Sequence, residues 1–296
     1  MVMQHEFRKD YFTDIWVLYA PAKQYSPSKL KIVSDKDCYL CGKEKVIDNP
    51  YPCVHPSKFK IEGKGSLYTT ATGHGYDEII IITPEHGVAF HDLSVDDIVD
   101  VFRMFIDRQN VLKRRERIEH VLFLLNNGPL VSNVNHAHVN VVAFPKVPAD
   151  LARELNGYDK YFKKNSECVF CKIIHDENKK SRFIKGNSEF VSIAPYASRY
   201  PFEFWILPKK HVKRLSDLND QSLFYLSEML KSLLVKLNKR VPEISYSIVV
   251  HEAPTAQEMR DFHMHVEVRP VMINTYNVDG TYVNHVLPEK AADVLR

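Results

Sequence analysis

HAHVNVVAF, residues 136–144, and HMHVEVRP, residues 263–270, each open on a His-x-His and run on in strand-like residues. Working outward from the pair, a Cys-x-x-Cys at Cys38 and Cys41 and a histidine at His86 precede the first copy. Cys168, Cys171 and His211 precede the second. DEIIIITPEH ends at His86 and FEFWILPKKH at His211, and a leucine follows seven residues later in both, Leu93 and Leu218. Self-similarity of this kind is the signature of a duplicated unit. After each of these histidines comes a helix. Ser94 with Asp97 gives the first a capping signature, and Ile98, Phe102, Phe105 and Ile106 share one of its faces. Asn219 or Asp220 can cap the second, with Leu226, Leu230, Leu233 and Leu234 as its stripe. A β-rich run follows both, VLFLLNNG before HAHVNVVAF and SYSIVVH before HMHVEVRP. The expected fold is α+β, each half an antiparallel sheet carrying one long helix.

Between the halves, PKVPADLARELNGYDKYFKKNSE combines two prolines, a short amphipathic helix and a polar stretch. This places a boundary at about residue 157, giving domains 1–157 and 158–296. A length of 296 residues at 45% hydrophobic content suits two ordinary domains. Forty Lys and Arg against 37 Asp and Glu leave a net charge of +3, too little to argue for a nucleic-acid groove. No apolar run reaches the roughly 20 residues of a membrane span, and MVMQHEFRKDYF lacks the apolar core of a signal peptide, so the chain reads as cytoplasmic. Only ten glycines are present, which removes glycine-rich phosphate loops from consideration.

Two thiolates at Cys-x-x-Cys spacing with two distant imidazoles make a sulfur/nitrogen set that suits zinc and is closed to substrate. The first set is Cys38, Cys41, His86 and His136; the second, by repetition, is Cys168, Cys171, His211 and His263. Two zinc ions per chain are expected. A redox reading of either pair wants a thioredoxin-like βαβ context that is absent, and the bland alternative is buried thiols without metal. Glu154, His251, His263 and His265 compete for the second site as an oxygen/nitrogen set, but thiolates hold zinc better than a carboxylate does.

Side chains alternate across a strand, so His136, His138 and Asn140 share one face. With His136 on the metal, His138 is left as an imidazole competent to attack phosphorus, provided its other nitrogen donates to a carbonyl. Upstream, the backbone amides and short polar side chains around Asn126, Gly128, Ser132 and Asn133 can hold phosphate oxygens. His265 has the same local motif. Ahead of it, however, stands the acid-rich EAPTAQEMRDF, and Glu267 occupies the position matching Asn140, which makes His138 the nucleophile.

Taken with FRKDYFTDIWVLYAPAK, DNPYPCV, YPFEFWILPKKH, VVHEAP and GTYVNHVLPEKAADVLR, these motifs resemble the galactose-1-phosphate uridylyltransferase family of the histidine-triad superfamily and its ADP-sugar phosphorylase-like relatives, over nearly the whole chain. The resemblance implies two histidine-triad-like halves in one continuous antiparallel sheet, in a homodimer whose sites borrow residues across the boundary. It implies a double displacement in which His138 takes UMP or AMP from a nucleoside diphosphate sugar and passes it to a sugar 1-phosphate or phosphate. Asn49 and Tyr51 would line the nucleoside pocket, Asn126 would contact phosphate, and Lys23 is the one basic residue of a segment usually richer in arginine. Asn140 stands where the family usually has Gln, and Ala137 where proline or serine is common. Tyr276–Asn277 replaces a Tyr-Glu pair that reads the hexose, and GTYVNHVLPE is closer to the phosphorylase-like branch. Beside the transferase stand two alternatives: a phosphorylase or hydrolase passing the same intermediate to phosphate or water, and a catalytically silent zinc-stabilised nucleotide-binding protein, for which Asn140 is the motive.

Overall fold

A computed structural model describes residues 5–11, 15–26, 35–255, 262–274 and 276–296. The first half contains β1 (Glu6–Lys9), β2 (Trp16–Tyr19), β3 (Val46–Asp48), β4 (Ile61–Glu62), β5 (Thr70–Thr72) and β6 (Tyr76–Ile81). Helix α1 (Val95–Leu112) follows, then β7 (His120–Asn127) and β8 (His138–Phe144). Helices α2 (Ala149–Asn165) and α3 (Val169–Glu177) lead into β9 (Phe183–Gly186), β10 (Phe190–Ile193) and β11 (Phe204–Pro208). The chain then runs through α4 (Asp220–Arg240), β12 (Ser245–His251), β13 (His265–Val271), β14 (Tyr276–Val278), β15 (Thr281–Val283) and α5 (Pro288–Leu295).

Nine strands form the central sheet in the order β3-β6-β8-β7-β12-β13-β11-β10-β9, with every neighbouring pair antiparallel. The halves meet at β7 and β12, where Phe123 lies opposite Val250 and Asn127 opposite Tyr246. Not every strand joins this sheet. β2-β1-β5-β4 form a separate four-stranded sheet and β14-β15 a hairpin of their own. Their strands are two to four residues long, too short for the alternation that identifies a strand in sequence.

One face of the central sheet carries α1 and α4. Ser94 caps α1 by accepting from the Asp97 amide at 3.1 Å, while the Asp97 carboxylate accepts from the Ser94 amide at 3.1 Å. Asn219 caps α4, accepting from the Ser222 amide at 2.8 Å. The stripes foreseen on both helices point inward: Ile98, Phe102, Phe105, Leu226, Leu230, Leu233 and Leu234 are buried, and Ile106 packs at the edge. Phe102 and Phe105 set their rings 5.7 and 5.2 Å from that of Phe123. Beneath them lie Val139, Val141 and Ala143 of β8, Ile248 and Val250 of β12, and Val266 and Val268 of β13. Each fully buried aliphatic or aromatic side chain contributes about 1.5–3 kcal/mol, so this layer dominates the stability of the fold.

The opposite face is treated differently in the two halves. Residues 149–165, where the prolines and polar residues suggest a short helix and a linker, form the single 17-residue helix α2, so a division at residue 157 falls inside it. Leu151, Leu155 and Tyr158 of that helix pack with Phe170 and Phe262 against Val191, Ile193 and Leu207, which covers the second half. On the first half the same face is covered by other segments, Phe7, Val54 and Ala71 packing on Val142 and Cys38, Leu40 and Val134 on Ile79 and Ile81, and a cavity remains beside them.

Candidate functional site

Antiparallel register decides what faces this cavity. Ile81 of β6 lies opposite His138, Ile79 opposite Asn140 and Asp77 opposite Val142, with Leu124 of β7 opposite Asn140 on the other side. Paired residues share a face, so His138, Asn140 and Asp77 look the same way, away from α1. The cavity above them measures about 590 Å³ and is lined by Lys23, Ser26, Tyr39, Asn49, Cys53, Asp77, Leu124, Asn126, Val131, Ser132, Asn133, His138, Asn140 and Val142. Of the expected nucleotide and catalytic residues, Tyr51 and Gly128 are not part of this lining.

His138 is 3% exposed, and its Nδ1 donates to the His136 carbonyl at 2.7 Å. That bond leaves Nε2 as the lone-pair nitrogen and fixes the ring. Burial pulls the imidazole pKa down and the positive charge of Lys23 adds to this, outweighing the carbonyl bond; His138 is a neutral base. Asn126 accepts from Ser247 Oγ at 2.7 Å through Oδ1, which leaves its Nδ2 donors for the cavity. Ser132 spends its hydroxyl proton on the Val134 carbonyl at 2.8 Å, so it shapes the loop. Gly128 holds φ +93°, and a Cβ there would stand 2.6 Å from Ser245 Oγ; only glycine lets the loop leave β7 this close to β12.

Three lining residues escaped the sequence reading. Asp77 accepts from Asn49 Nδ2 at 2.9 Å and from the Cys53 amide at 2.8 Å, and its carboxylate lies 3.9 Å from Lys23 Nζ. Two adjacent acids, Asp77 and Glu78, opening a strand that runs on as isoleucines were the available signal. Tyr39, from the middle of the first Cys-x-x-Cys, enters the cavity with its ring 5.6 Å from that of Tyr51. Burial, then nearby Cys38, pushes its phenol up to about 12. Cys53, the unpaired cysteine of the sequence, also lines the cavity; burial and then Asp77 push its pKa upward, so it is a thiol there.

Beside the cavity, Cys38, Cys41, His86 and His136 converge, their ligand atoms all within 4.8 Å of one another. His136 Nδ1 stands 3.7 Å from Cys38 Sγ and 3.5 Å from Cys41 Sγ, and His86 Nδ1 stands 3.5 Å from Cys41 Sγ. A tetrahedral ion bonded to sulfur at about 2.3 Å and nitrogen at about 2.0 Å separates those donors by roughly 3.5 Å. His136 Nε2 donates to the Thr83 carbonyl at 2.8 Å, which turns the unprotonated Nδ1 toward the sulfurs, as a metal ligand requires. The second half repeats this. Cys168, Cys171, His211 and His263 converge, with His263 Nδ1 3.8 and 3.5 Å from the sulfurs, His211 Nδ1 3.6 Å from Cys171 Sγ, and His263 Nε2 donating to the Pro208 carbonyl at 2.9 Å. Both groups can hold a metal ion.

The competing oxygen/nitrogen set needs correction. His263 belongs to the cysteines because its Nδ1 faces their sulfurs and its Nε2 is committed to the Pro208 carbonyl, and the group that forms instead is Glu154, His251, His265 and Glu267. Arg199 reaches Glu267 at 3.0 Å, Arg269 reaches it at 2.7 Å and donates to His251 Nε2 at 3.2 Å, and His251 Nδ1 donates to Glu154 at 2.6 Å. Both guanidinium groups thus meet Glu267, while Glu154 is met by His251 and lies 3.3 Å from His265 Nε2. His265, the counterpart of His138, is fully buried between the rings of Phe170 and Trp205, with centroids 4.7 and 5.1 Å away. Of the acid-rich segment ahead of it, residues 256–261 lie outside the described residues, as do residues 12–14 of the opening segment.

Comparison with known proteins follows this geometry through both halves. The family model for the N-terminal domain of galactose-1-phosphate uridyl transferase matches residues 26–148, and that for the C-terminal domain matches residues 154–296. ADP-glucose phosphorylase of Arabidopsis thaliana is 28% identical over 98% of this chain and 92% of its own length. Galactose-1-phosphate uridylyltransferase of Thermotoga maritima is 25% identical over 98% of both. Among solved structures, a uridylyltransferase superposes with TM-score 0.85 over 98% of this chain and 97% of its own, at 23% identity. The Arabidopsis thaliana ADP-glucose phosphorylase with bound ADP-glucose superposes with TM-score 0.73 over 99% and 98%, at 26% identity. Matched in both halves and along nearly its full length, the chain belongs to the galactose-1-phosphate uridyl transferase family and is an enzyme of the nucleotidyltransferase type.

Proposed function

We propose that the protein moves a nucleoside monophosphate, UMP or AMP, from a nucleoside diphosphate sugar to a sugar 1-phosphate or to inorganic phosphate, with the nucleotide held on His138 between the two steps. The observation that carries this is the orientation of His138: Nδ1 is tied to the His136 carbonyl, and the other nitrogen is left as a neutral nucleophile on the cavity floor. In the first step Nε2 attacks the α-phosphorus, the bond from that phosphorus to the bridging oxygen breaks, and the electron pair leaves with the sugar 1-phosphate. The ring becomes cationic, and the His136 carbonyl stabilises its Nδ1–H. In the second, a phosphate oxygen of the acceptor attacks the same phosphorus and the P–N bond breaks, restoring neutral His138. Asn126 and Asn140 supply neutral donors for the phosphoryl oxygens, and Lys23 supplies a positive charge.

Zinc suits both Cys₂His₂ groups, where it would supply rigidity, contribute folding free energy and leave no position open for substrate. Catalysis belongs in this reading to the half 1–157. The half 158–296 is structural, and supporting this are the rings closed over His265 and the ion pairs of Arg199 and Arg269 with Glu267 beside it. A cytoplasmic homodimer is part of the proposal. Exposed Tyr276, Val278 and Tyr282 on the β14–β15 hairpin favour an interface there, and among the described residues no helix is long and apolar enough to cross a membrane.

A second reading, phosphorolysis of an ADP-sugar, draws on GTYVNHVLPE, residues 280–289, and on the likeness to a phosphorylase along nearly the whole chain. Turnover with UDP-glucose and ADP-glucose, each with galactose 1-phosphate, with inorganic phosphate or with neither, separates the cases. Transferase activity needs the sugar phosphate, phosphorolysis needs inorganic phosphate, and hydrolysis needs neither. No turnover in any arm would contradict the proposal.

A further inference from the structure

Asp77 is anomalous where it stands. Its side chain is 1% exposed, on the floor of a cavity that must accept anions. It lies opposite Val142, four residues along β8 from His138 or roughly 13 Å at strand rise, so the two mark opposite ends of the cavity. In the nucleotide reading, with phosphorus held at His138, the Asp77 end, where Asn49 stands, is the nucleoside end.

All of the carboxylate's contacts are to groups that build that end. One oxygen accepts from Asn49 Nδ2 at 2.9 Å and the other from the Cys53 amide at 2.8 Å. Asn49 in turn accepts from the Tyr51 amide at 2.9 Å through Oδ1. The Asn49 side chain is therefore tied into the wall, with a second Nδ2 proton beside the cavity it lines. Lys23 Nζ lies 3.9 Å from the carboxylate with its side chain 43% exposed. A pair so exposed adds little stability, and what it does is restrict where a long flexible cation can go.

We propose that Asp77 is the positioning residue of the nucleoside end: its two carboxylate oxygens fix the Asn49–Cys53 wall of the cavity. It acts through those groups without itself reaching the reacting atoms. The inference rests on the nucleotide reading of the cavity.

Calorimetric titration with UMP and AMP tests it without any turnover. Asp77→Asn replaces one acceptor by a donor, so either Asn49 Nδ2 or the Cys53 amide meets a donor, and affinity should fall about tenfold. The exchange Asp77→Asn with Asn49→Asp re-forms every hydrogen bond of the wall at unchanged net charge and should recover affinity to within about threefold of wild type. In turnover the single variant should raise KM about tenfold while kcat stays within about threefold. The inference is overturned if Asp77→Asn binds as wild type does, if the exchange remains as weak as the single variant, or if kcat falls with KM unchanged. Should the single variant not fold, the exchange carries the test alone: folded and binding within about threefold supports the inference, whereas unfolded or about tenfold weaker overturns it. Wild-type protein that binds neither UMP nor AMP would remove the nucleotide reading itself, a failure visible before any variant is made.

Discussion

Gly128→Ala is a perturbation whose cost can be worked from the structure. The backbone there sits at φ +93°, and an alanine forced into positive φ costs about 1–2 kcal/mol. Its Cβ would also meet Ser245 Oγ at 2.6 Å and Ser245 Cα at 2.8 Å, the second of which is backbone of β12 and has no rotamer to escape into. Relieving overlap of that kind costs a further 1–3 kcal/mol, about 2–5 in all. The contact is at the seam between the halves, two residues from the Ser247–Asn126 hydrogen bond, so both fold and phosphate end should feel it. Urea denaturation should show a lower midpoint at unchanged slope, and the melting temperature should fall by roughly 3–8 °C. A loss below about 1 kcal/mol would mean the β7–β12 seam yields freely and the argument from close approach is wrong.

Elemental analysis should find about two zinc ions per chain, and Cys38→Ser should remove one and lower the melting temperature; full zinc content in that variant would contradict the first ligand set. Asn140→Gln, one methylene longer, should hold or raise turnover, and a tenfold loss, about 1.4 kcal/mol, would mean the site is built around the shorter amide. His120 is fully buried, and burial, with His251 and Arg214 adding to it, pulls its pKa down to about 3. The unfolded chain binds that proton below pH about 6.5, so stability is full above that value and falls by roughly 1.4 kcal/mol per unit as pH drops toward the folded pKa. His120→Leu should flatten this acid limb, and an unchanged pH dependence would refute the assignment.

The repeat was legible because metal ligands and capped helices leave fixed marks at fixed intervals: Cys38, Cys41, His86 and His136 assemble as their spacing implied, and so do their counterparts. Strand alternation put His138 and Asn140 on one face correctly. What could not be read was tertiary. Nothing in PADLARELNGYDKYF says which face α2 will cover, yet its docking with Phe170 closes the second half and leaves the cavity to the first. Asp77 and Tyr39 gain meaning only from neighbours brought in by other strands, Lys23 and Asn49 for one and Tyr51 for the other. The replacement of His263 by Glu267 in the oxygen/nitrogen group depended on where one imidazole turns its Nδ1.

The most direct test of the central claim is intact mass measurement after incubation with UDP-glucose or ADP-glucose and no acceptor. Wild-type protein and His265→Ala should each gain the mass of one UMP or AMP, and His138→Ala should gain none while keeping its metal and its melting curve. A nucleotide adduct that survives in His138→Ala and disappears in His265→Ala would reverse the roles of the two halves and contradict the account.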